Sequence, residues 1–241
     1  MGLWIQRLLS RALIPVSYFF AIVWMKFGRR YQIPALRDTR RRYRQLLREG
    51  TGPVVICGNH LTAIDSLLIM WALAPGWRAS LKPSLMPWNL PDKQNFSGNI
   101  YIRFLCYVGR CLPVVRKGPR DEVRKVLDKV GLLLRSGDSI LIFPEGGRSR
   151  LGRVDTENFS YGVGGIVQEV PGARVLCVYF RGREQKDFST MPEKGDKFYI
   201  DMKMIKPASA SPGLRGARDI SGQIVHSLAE MEKGYYDVAR Q

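Results

Sequence analysis

At 241 residues, 45% of them hydrophobic, the chain can bury one substantial core, and it is too short for two full domains. Its 38 Lys and Arg against 21 Asp and Glu leave a net charge of +17, which points to an anionic partner, either nucleic acid or a phospholipid surface. The four cysteines, Cys57, Cys106, Cys111 and Cys177, form no C-x-x-C pair, and two sit in apolar runs; this argues for buried thiols in a reducing, cytosol-facing compartment and against a disulfide or zinc framework.

The N-terminus begins with Trp4, Ile5, Leu8, Leu9, Ala12 and Leu13 at helical spacing, with Gln6, Arg7 and Ser10 between them, so an amphipathic helix is expected. Residues 12–25 then carry no charge and are bracketed by Arg11 and Lys26. That run is shorter than the roughly 20 residues a spanning helix needs, which favours an interfacial or re-entrant segment, with Pro15 as a place to bend. No small-x-small cleavage site follows it, so a cleaved signal peptide is disfavoured. From Lys26 to Arg48 there are nine basic residues, with Asp38 and Glu49 as the nearby acids. Beside an apolar anchor, such a cluster grips anionic headgroups, at about 1 kcal/mol per basic residue near the surface. Residues 1–34 are therefore expected to be a membrane-contacting helical segment and residues 35–241 an α/β domain.

In that domain, residues 35–48 read as a basic helix, broken by Gly50, Gly52 and Pro53 before a core strand at 53–57. A helix follows at about 63–73, then a strand near 77–82 and a Pro- and Asn-rich loop over 83–95. Next come a helix around 98–108 and a strand at CLPVVR, 111–116. Over 120–136, Val123, Val126, Leu127, Val130, Leu133 and Leu134 share one face at 3.6 periodicity, and Gly137 is a stop signal. SILIF (139–143), RVLCVYF (174–180) and KFYIDMKMI (197–205) read as strands, 207–217 as a surface loop, and 220–236 as a closing helix. Continuous apolar strands alternating with amphipathic helices predict an α/β fold: a central, largely parallel or mixed sheet flanked by helices.

Two stretches carry chemistry. In GNHLTAIDS (58–66), Thr62 can cap a helix beginning at Ala63, with Asp65 at its third position. On a continuous helix, residues five apart lie about 140° apart, so His60 and Asp65 can meet only if the histidine projects from the turn before the helix. A carboxylate beside an imidazole fixes its tautomer for general-base work; the same T-x-x-D spacing is also that of a capping box serving only the helix. In FPEGGRSR (143–150), at the end of SILIF, a glutamate, two glycines and two arginines reach the strand edge where α/β sheets bind ligands. The planar donors of Arg148 and Arg150 suit a phosphate, though a plain solvated turn has the same composition.

Together these stretches resemble the glycerolipid acyltransferase family typified by 1-acylglycerol-3-phosphate acyltransferase, which carries N-H-x4-D and F-P-E-G-T-R-S. Here they stand as Asn59-His60-Leu61-Thr62-Ala63-Ile64-Asp65 and Phe143-Pro144-Glu145-Gly146-Gly147-Arg148-Ser149. Between them, Gly109 to Arg116 matches the family's G-x6-R segment. The resemblance covers roughly residues 50–185, and the N-terminal apolar segment is similar to the family's membrane-contacting helices. Gly147 replaces the usual threonine, and Cys177 stands where a later family block has proline; both can reshape the acceptor site, so the family's commonest acceptor, lysophosphatidic acid, does not follow from the motifs alone.

The resemblance implies transfer of an acyl group from a thioester, acyl-CoA or acyl-carrier protein, to a hydroxyl, with no covalent acyl-enzyme, metal or cofactor. It makes His60 and Asp65 the catalytic pair and assigns acceptor binding to Arg116, Glu145, Gly146 and Arg148, with Asn59 and backbone near Gly58 positioning the turn or the oxyanion. Residues Leu85, Met86, Pro87 and Trp88 are a candidate wall for the acyl chain. The expected acceptor is a lysophospholipid such as lysophosphatidic acid, at the cytoplasmic face of a membrane, the inner one in a bacterium. A different lysolipid, for example a lyso-aminolipid, is the alternative. A non-catalytic lipid-binding protein disagrees with the presence of His60, Asp65, Glu145 and the arginines. Nucleic acid is disfavoured as a partner because the basic cluster adjoins an apolar anchor and no zinc-finger or RNA-recognition signature is present.

Overall fold

The computed structural model describes residues 2–75, 86–93, 99–115 and 118–239. A five-stranded sheet forms the centre, in the order β2-β3-β1-β4-β5, from β1 (Val54–Gly58), β2 (Trp88–Asn89), β3 (Ile140–Ile142), β4 (Arg174–Gly182) and β5 (Phe198–Ile205). The first four strands run parallel and β5 pairs antiparallel with β4, so the sheet is mixed, as expected. All nine residues of β4 are buried, which is why its sequence is apolar without alternation. One face carries Val55, Cys57, Val175 and Cys177 under α6 (Gly162–Glu169) and α7 (Gly213–Ala239), with Val130, Leu133 and Leu134 of α5 (Arg120–Arg135) in the same cluster. The other carries Ile56, Leu176 and Val178 against α3 (Asp65–Leu73) and Tyr43 of α2 (Leu36–Arg48).

Four expectations are corrected. The loop expected over 83–95 contains β2, because Trp88 donates its backbone N–H to Ser139 and its indole N–H to Asp138 and is fully buried. CLPVVR is not a strand over its described residues, 111–115: Cys111 and Val114 make only isolated bridges, to Asn89 and Asp92. The last helix starts at Gly213, seven residues earlier than 220, inside the expected loop. Helix α6 has no counterpart in the sequence reading, since three glycines in GVGGIVQE lower helix propensity; Gly164 is needed there because a Cβ would lie 1.9 Å from the Ala217 carbonyl oxygen of α7. The strand expected near 77–82 lies outside the described residues.

The N-terminal helix α1 (Leu3–Val23) runs on through Pro15 and ends in a wider π turn, Trp24–Gly28. The whole stretch Leu3–Gly28 is 26 residues long and apolar enough to cross a membrane. Its polarity is inverted relative to a soluble helix: Gln6, Ser10, Ile14 and Tyr18 are the buried face, while Trp4, Leu8, Phe19, Phe20, Trp24 and Phe27 are exposed. The buried face is tied down by polar contacts. Gln6 donates to the carbonyls of Tyr107 and Cys111 at 2.9 and 3.0 Å, and Arg7 pairs with Asp138 at 2.6 Å. The Gln6 bonds join α1 to the end of α4 (Ile100–Val108) and the Arg7 pair ties it to the turn before β3; just beyond α4, Arg110 adopts φ +58 and lies buried, donating to the Met86 carbonyl at 2.9 Å.

Candidate active site

The site follows from strand register. Cys57 of β1 lies opposite Ile142 of β3 in a parallel pair, so the residues three positions further along, His60 and Glu145, emerge side by side at the carboxyl ends of adjacent strands. The two motifs therefore meet although 85 residues separate them: the backbone N–H of His60 donates to Glu145 Oε1 at 2.9 Å, and Ser149 N–H donates to the His60 carbonyl at 2.8 Å. Gly58 lets the side chains of α3 and the second loop close on this junction, since a Cβ there would lie 2.8 Å from Ile69 Cδ1 and 3.2 Å from the Phe143 ring.

The turn brings His60 and Asp65 together as expected: His60 Nδ1 lies 3.1 Å from Asp65 Oδ2. The capping geometry is different. Helix α3 begins at Asp65 itself, and the Thr62 side chain does not cap it; its hydroxyl donates to Asp65 Oδ1. Asp65 Oδ2 also accepts the backbone N–H groups of Leu61 and Thr62 at 2.6 and 2.7 Å. The carboxylate, 3% exposed, is thus held by three donors of its own turn before it meets the imidazole. An ionised carboxylate only accepts, so in this contact Nδ1 carries the proton and Nε2 presents a lone pair.

The imidazole is fixed from a second direction. Its ring stacks on Phe143, with centroids 4.2 Å apart and planes inclined by 14°. Phe143 was given no role by the sequence reading, although it opens the F-P-E-G block directly after β3.

Glu145, half-buried, is the second carboxyl of the site. Its Oε1 accepts from His60, and its Oε2 is buried without a hydrogen-bond partner among the described residues. Burial pushes its pKa up to about 8, so the protonated form is populated at neutral pH and can donate as well as accept a hydrogen bond. Gly146 follows at φ +71, a conformation side chains rarely adopt, and turns the chain away from the strand. Arg148 is exposed; it donates to the Ser189 carbonyl at 3.0 Å and lies over the Phe188 ring. Arg116 lies outside the described residues. Asn59 positions the turn: its carboxamide donates to the Phe180 carbonyl at 3.0 Å and accepts the Phe180 N–H at 2.8 Å, fastening the turn to β4.

Sequence reasoning also missed the clamp on the second loop. Arg181 of β4 donates to the carbonyls of Gly152, Gln185 and Lys186, while Glu232 of α7 accepts from Val154 N–H and the Tyr179 hydroxyl. These partners are distant in sequence and carry no local motif. Cys177 lies in the sheet core, its sulfur near the Ile224 carbonyl, and does not line the cavity beside Glu145.

That cavity, of about 640 Å³, runs from Phe143, Glu145 and Gly146 between apolar walls that include Val115, Val126 and Ile166. A second, more apolar cavity of about 1200 Å³ opens beside α4 and shares Val115 and Val126 with the first. The expected acyl wall at 85–88 is corrected: Met86, Pro87 and Trp88 are buried in the protein body and line neither cavity, because Trp88 fills the space beside Asp138, and Leu85 lies outside the described residues. Among the described residues no three His, Cys, Asp or Glu side chains converge as metal ligands would.

Such an arrangement sets an imidazole held by a carboxylate, a carboxyl whose pKa burial lifts above its ordinary range and an apolar recess at one sheet edge. A comparison with curated proteins finds no match. The family model described as acyltransferase matches residues 36–204, which span both motifs and all five strands up to Met204, and the chain belongs to this acyltransferase family.

Proposed function

We propose that the protein transfers a fatty acyl group from an acyl thioester, acyl-CoA or acyl-carrier protein, to the hydroxyl of a lysophospholipid such as lysophosphatidic acid. The observation that carries this reading is the His60–Asp65 contact, made at the end of β1 beside Glu145 and the apolar cavity. In the step, His60 Nε2 takes the acceptor hydroxyl proton while that oxygen forms a bond to the thioester carbonyl carbon. The C–S bond then breaks, and the thiolate leaves with the proton from the imidazolium. Asp65 holds the tautomer and stabilises the transient positive ring. No serine or cysteine nucleophile takes part.

The protonated Glu145 is matched to a hydroxyl of the acceptor, whose lone pairs would satisfy the unpartnered Oε2. Gly146 lets the loop backbone approach the acceptor, and Arg148, with Arg116, supplies guanidinium donors for an anionic headgroup. The two cavities, which share Val115 and Val126 in their linings, offer an acyl chain apolar walls.

The exposed apolar face of α1 and the nine basic residues from Lys26 to Arg48 support docking on an anionic membrane at its cytoplasmic side. Residues 6, 10, 14 and 18 pack on the protein body, which favours a helix lying along the surface over one departing across the bilayer. A nucleic acid has no part in this reading. The test incubates purified protein with labelled acyl-CoA or acyl-carrier protein and a panel of lysolipids, and identifies products by mass spectrometry. A diacyl product from lysophosphatidic acid is expected; acylation of a lyso-aminolipid alone would move the acceptor, and thioester consumption with no lysolipid product would refute the reading.

A further inference from the structure

Helix α4 carries the same inverted polarity as α1. Of its nine residues only Val108 is buried, whereas Ile100, Tyr101, Ile102, Phe104 and Leu105 are all exposed, Tyr101 by 76%, Leu105 by 58% and Ile102 by 45%. At 100° per residue these five side chains cover an arc of about 200°, far wider than the stripe a helix needs to pack on a core. Soluble monomers rarely leave so much apolar surface uncovered without a partner.

Three further observations select the partner. α4 packs against α1, and the carboxamide of Gln6 fastens α1 to the end of α4, so the exposed apolar residues belong to neighbouring helices. No Asp or Glu occurs between residues 2 and 37 or between residues 93 and 120, so both helices lie in stretches with basic charge alone. Arg103 on α4, with Lys93 and Lys125 on the adjoining cavity wall, outnumbers the single Glu122 there, a balance that suits anionic headgroups.

We infer that α4 is a second membrane-docking element, inserted beside α1 into the acyl region of an anionic bilayer, so that the mouth of the larger cavity opens within the lipid layer. Ile100, Tyr101 and Phe104 line that cavity, while Ile102 and Leu105 do not. A lipid chain would then enter sideways from the bilayer and reach Val115 and Val126, the walls shared with the cavity at Glu145, without crossing water. The inference rests on the reading of α1 as a membrane-contacting helix.

The test places a nitroxide side chain at position 102, at 105 or, on α1, at 20 in the full chain, with circular dichroism confirming the fold. Collision with oxygen and with a water-soluble nickel chelate is measured with and without vesicles of phosphatidylglycerol and phosphatidylcholine. On adding vesicles the ratio of oxygen to nickel collisions should rise several-fold at 102 and 105 as well as at 20. A rise at 20 alone would overturn the inference and leave α1 docked; no rise at any position would overturn both. Shielding of 102 and 105 from both relaxants, with concentration-dependent dimerisation, would assign the face to a second copy instead. None of these readouts depends on acyl transfer.

Discussion

The imidazole of His60 lies flat on the ring of Phe143, 4.2 Å between centroids, while its Nδ1 faces Asp65 Oδ2 at 3.1 Å. One contact fixes the ring plane and the other fixes rotation within that plane, so together they aim Nε2. Phe143→Leu keeps most of the apolar volume but removes the flat face, and kcat should fall roughly tenfold to a hundredfold with little change in Tm. Steady-state kinetics alongside thermal unfolding checks this; an unchanged kcat would show that the stacking does not position the base.

Asp65→Asn tests the other contact. Three N–H donors converge on Oδ2 and only the Thr62 hydroxyl meets Oδ1, so an asparagine can place its oxygen at the first position and its amide at the second, where the hydroxyl turns to accept, and the substitution removes mainly the negative charge. Without that charge the imidazolium formed during transfer is no longer stabilised, and kcat should fall about a hundredfold or more; replacing charge-assisted by neutral hydrogen bonds should cost about 1 kcal/mol of stability. Chemical denaturation and single-turnover rates separate the two effects.

Asn59→Ala leaves the N–H and carbonyl of Phe180 unpaired inside the protein. A stability loss of about 2 kcal/mol or more should appear in denaturant melts. Activity of the protein that remains folded should fall as well, since the same two bonds hold the turn that carries His60.

Glu145 makes stability depend on pH in a defined direction. Its pKa is raised by burial from 4.5 to about 8, so between those values the folded state holds a proton that the unfolded state has lost. The contribution of this group is complete below about pH 4.5 and is lost as pH rises through about 8. Glu145→Gln carries a neutral group at every pH, so its stability relative to wild type should rise by about 1 kcal/mol or more between pH 5 and pH 8. A difference flat across that range would place the ionised carboxylate in the folded protein.

What the sequence made legible was whatever local chemistry dictates. The apolar runs at 53–57 and 174–180 read as buried strands, found at Val54–Gly58 and Arg174–Gly182, and the periodicity of 120–136 read as the covering helix, found at Arg120–Arg135, because burial on one or both faces writes itself into spacing. Trp88–Asn89 escaped because two residues make no period, and α6 because its glycines serve the close approach of α7 rather than its own helicity. At the site, His60 and Asp65 could be paired from a turn five residues long. Stacking by Phe143, the Arg181 and Glu232 clamp and the meeting of His60 with Glu145 depend on strand register and on contacts across the sheet, which a linear reading does not order.

The most direct measurement is acyl transfer from labelled acyl-CoA or acyl-carrier protein to lysophosphatidic acid in anionic vesicles, by wild type and by His60→Ala protein that is folded and vesicle-bound. If Nε2 of His60 removes the acceptor proton, the variant should lose about a hundredfold or more in kcat while binding vesicles as before. Transfer at an undiminished rate by the folded variant would contradict the account.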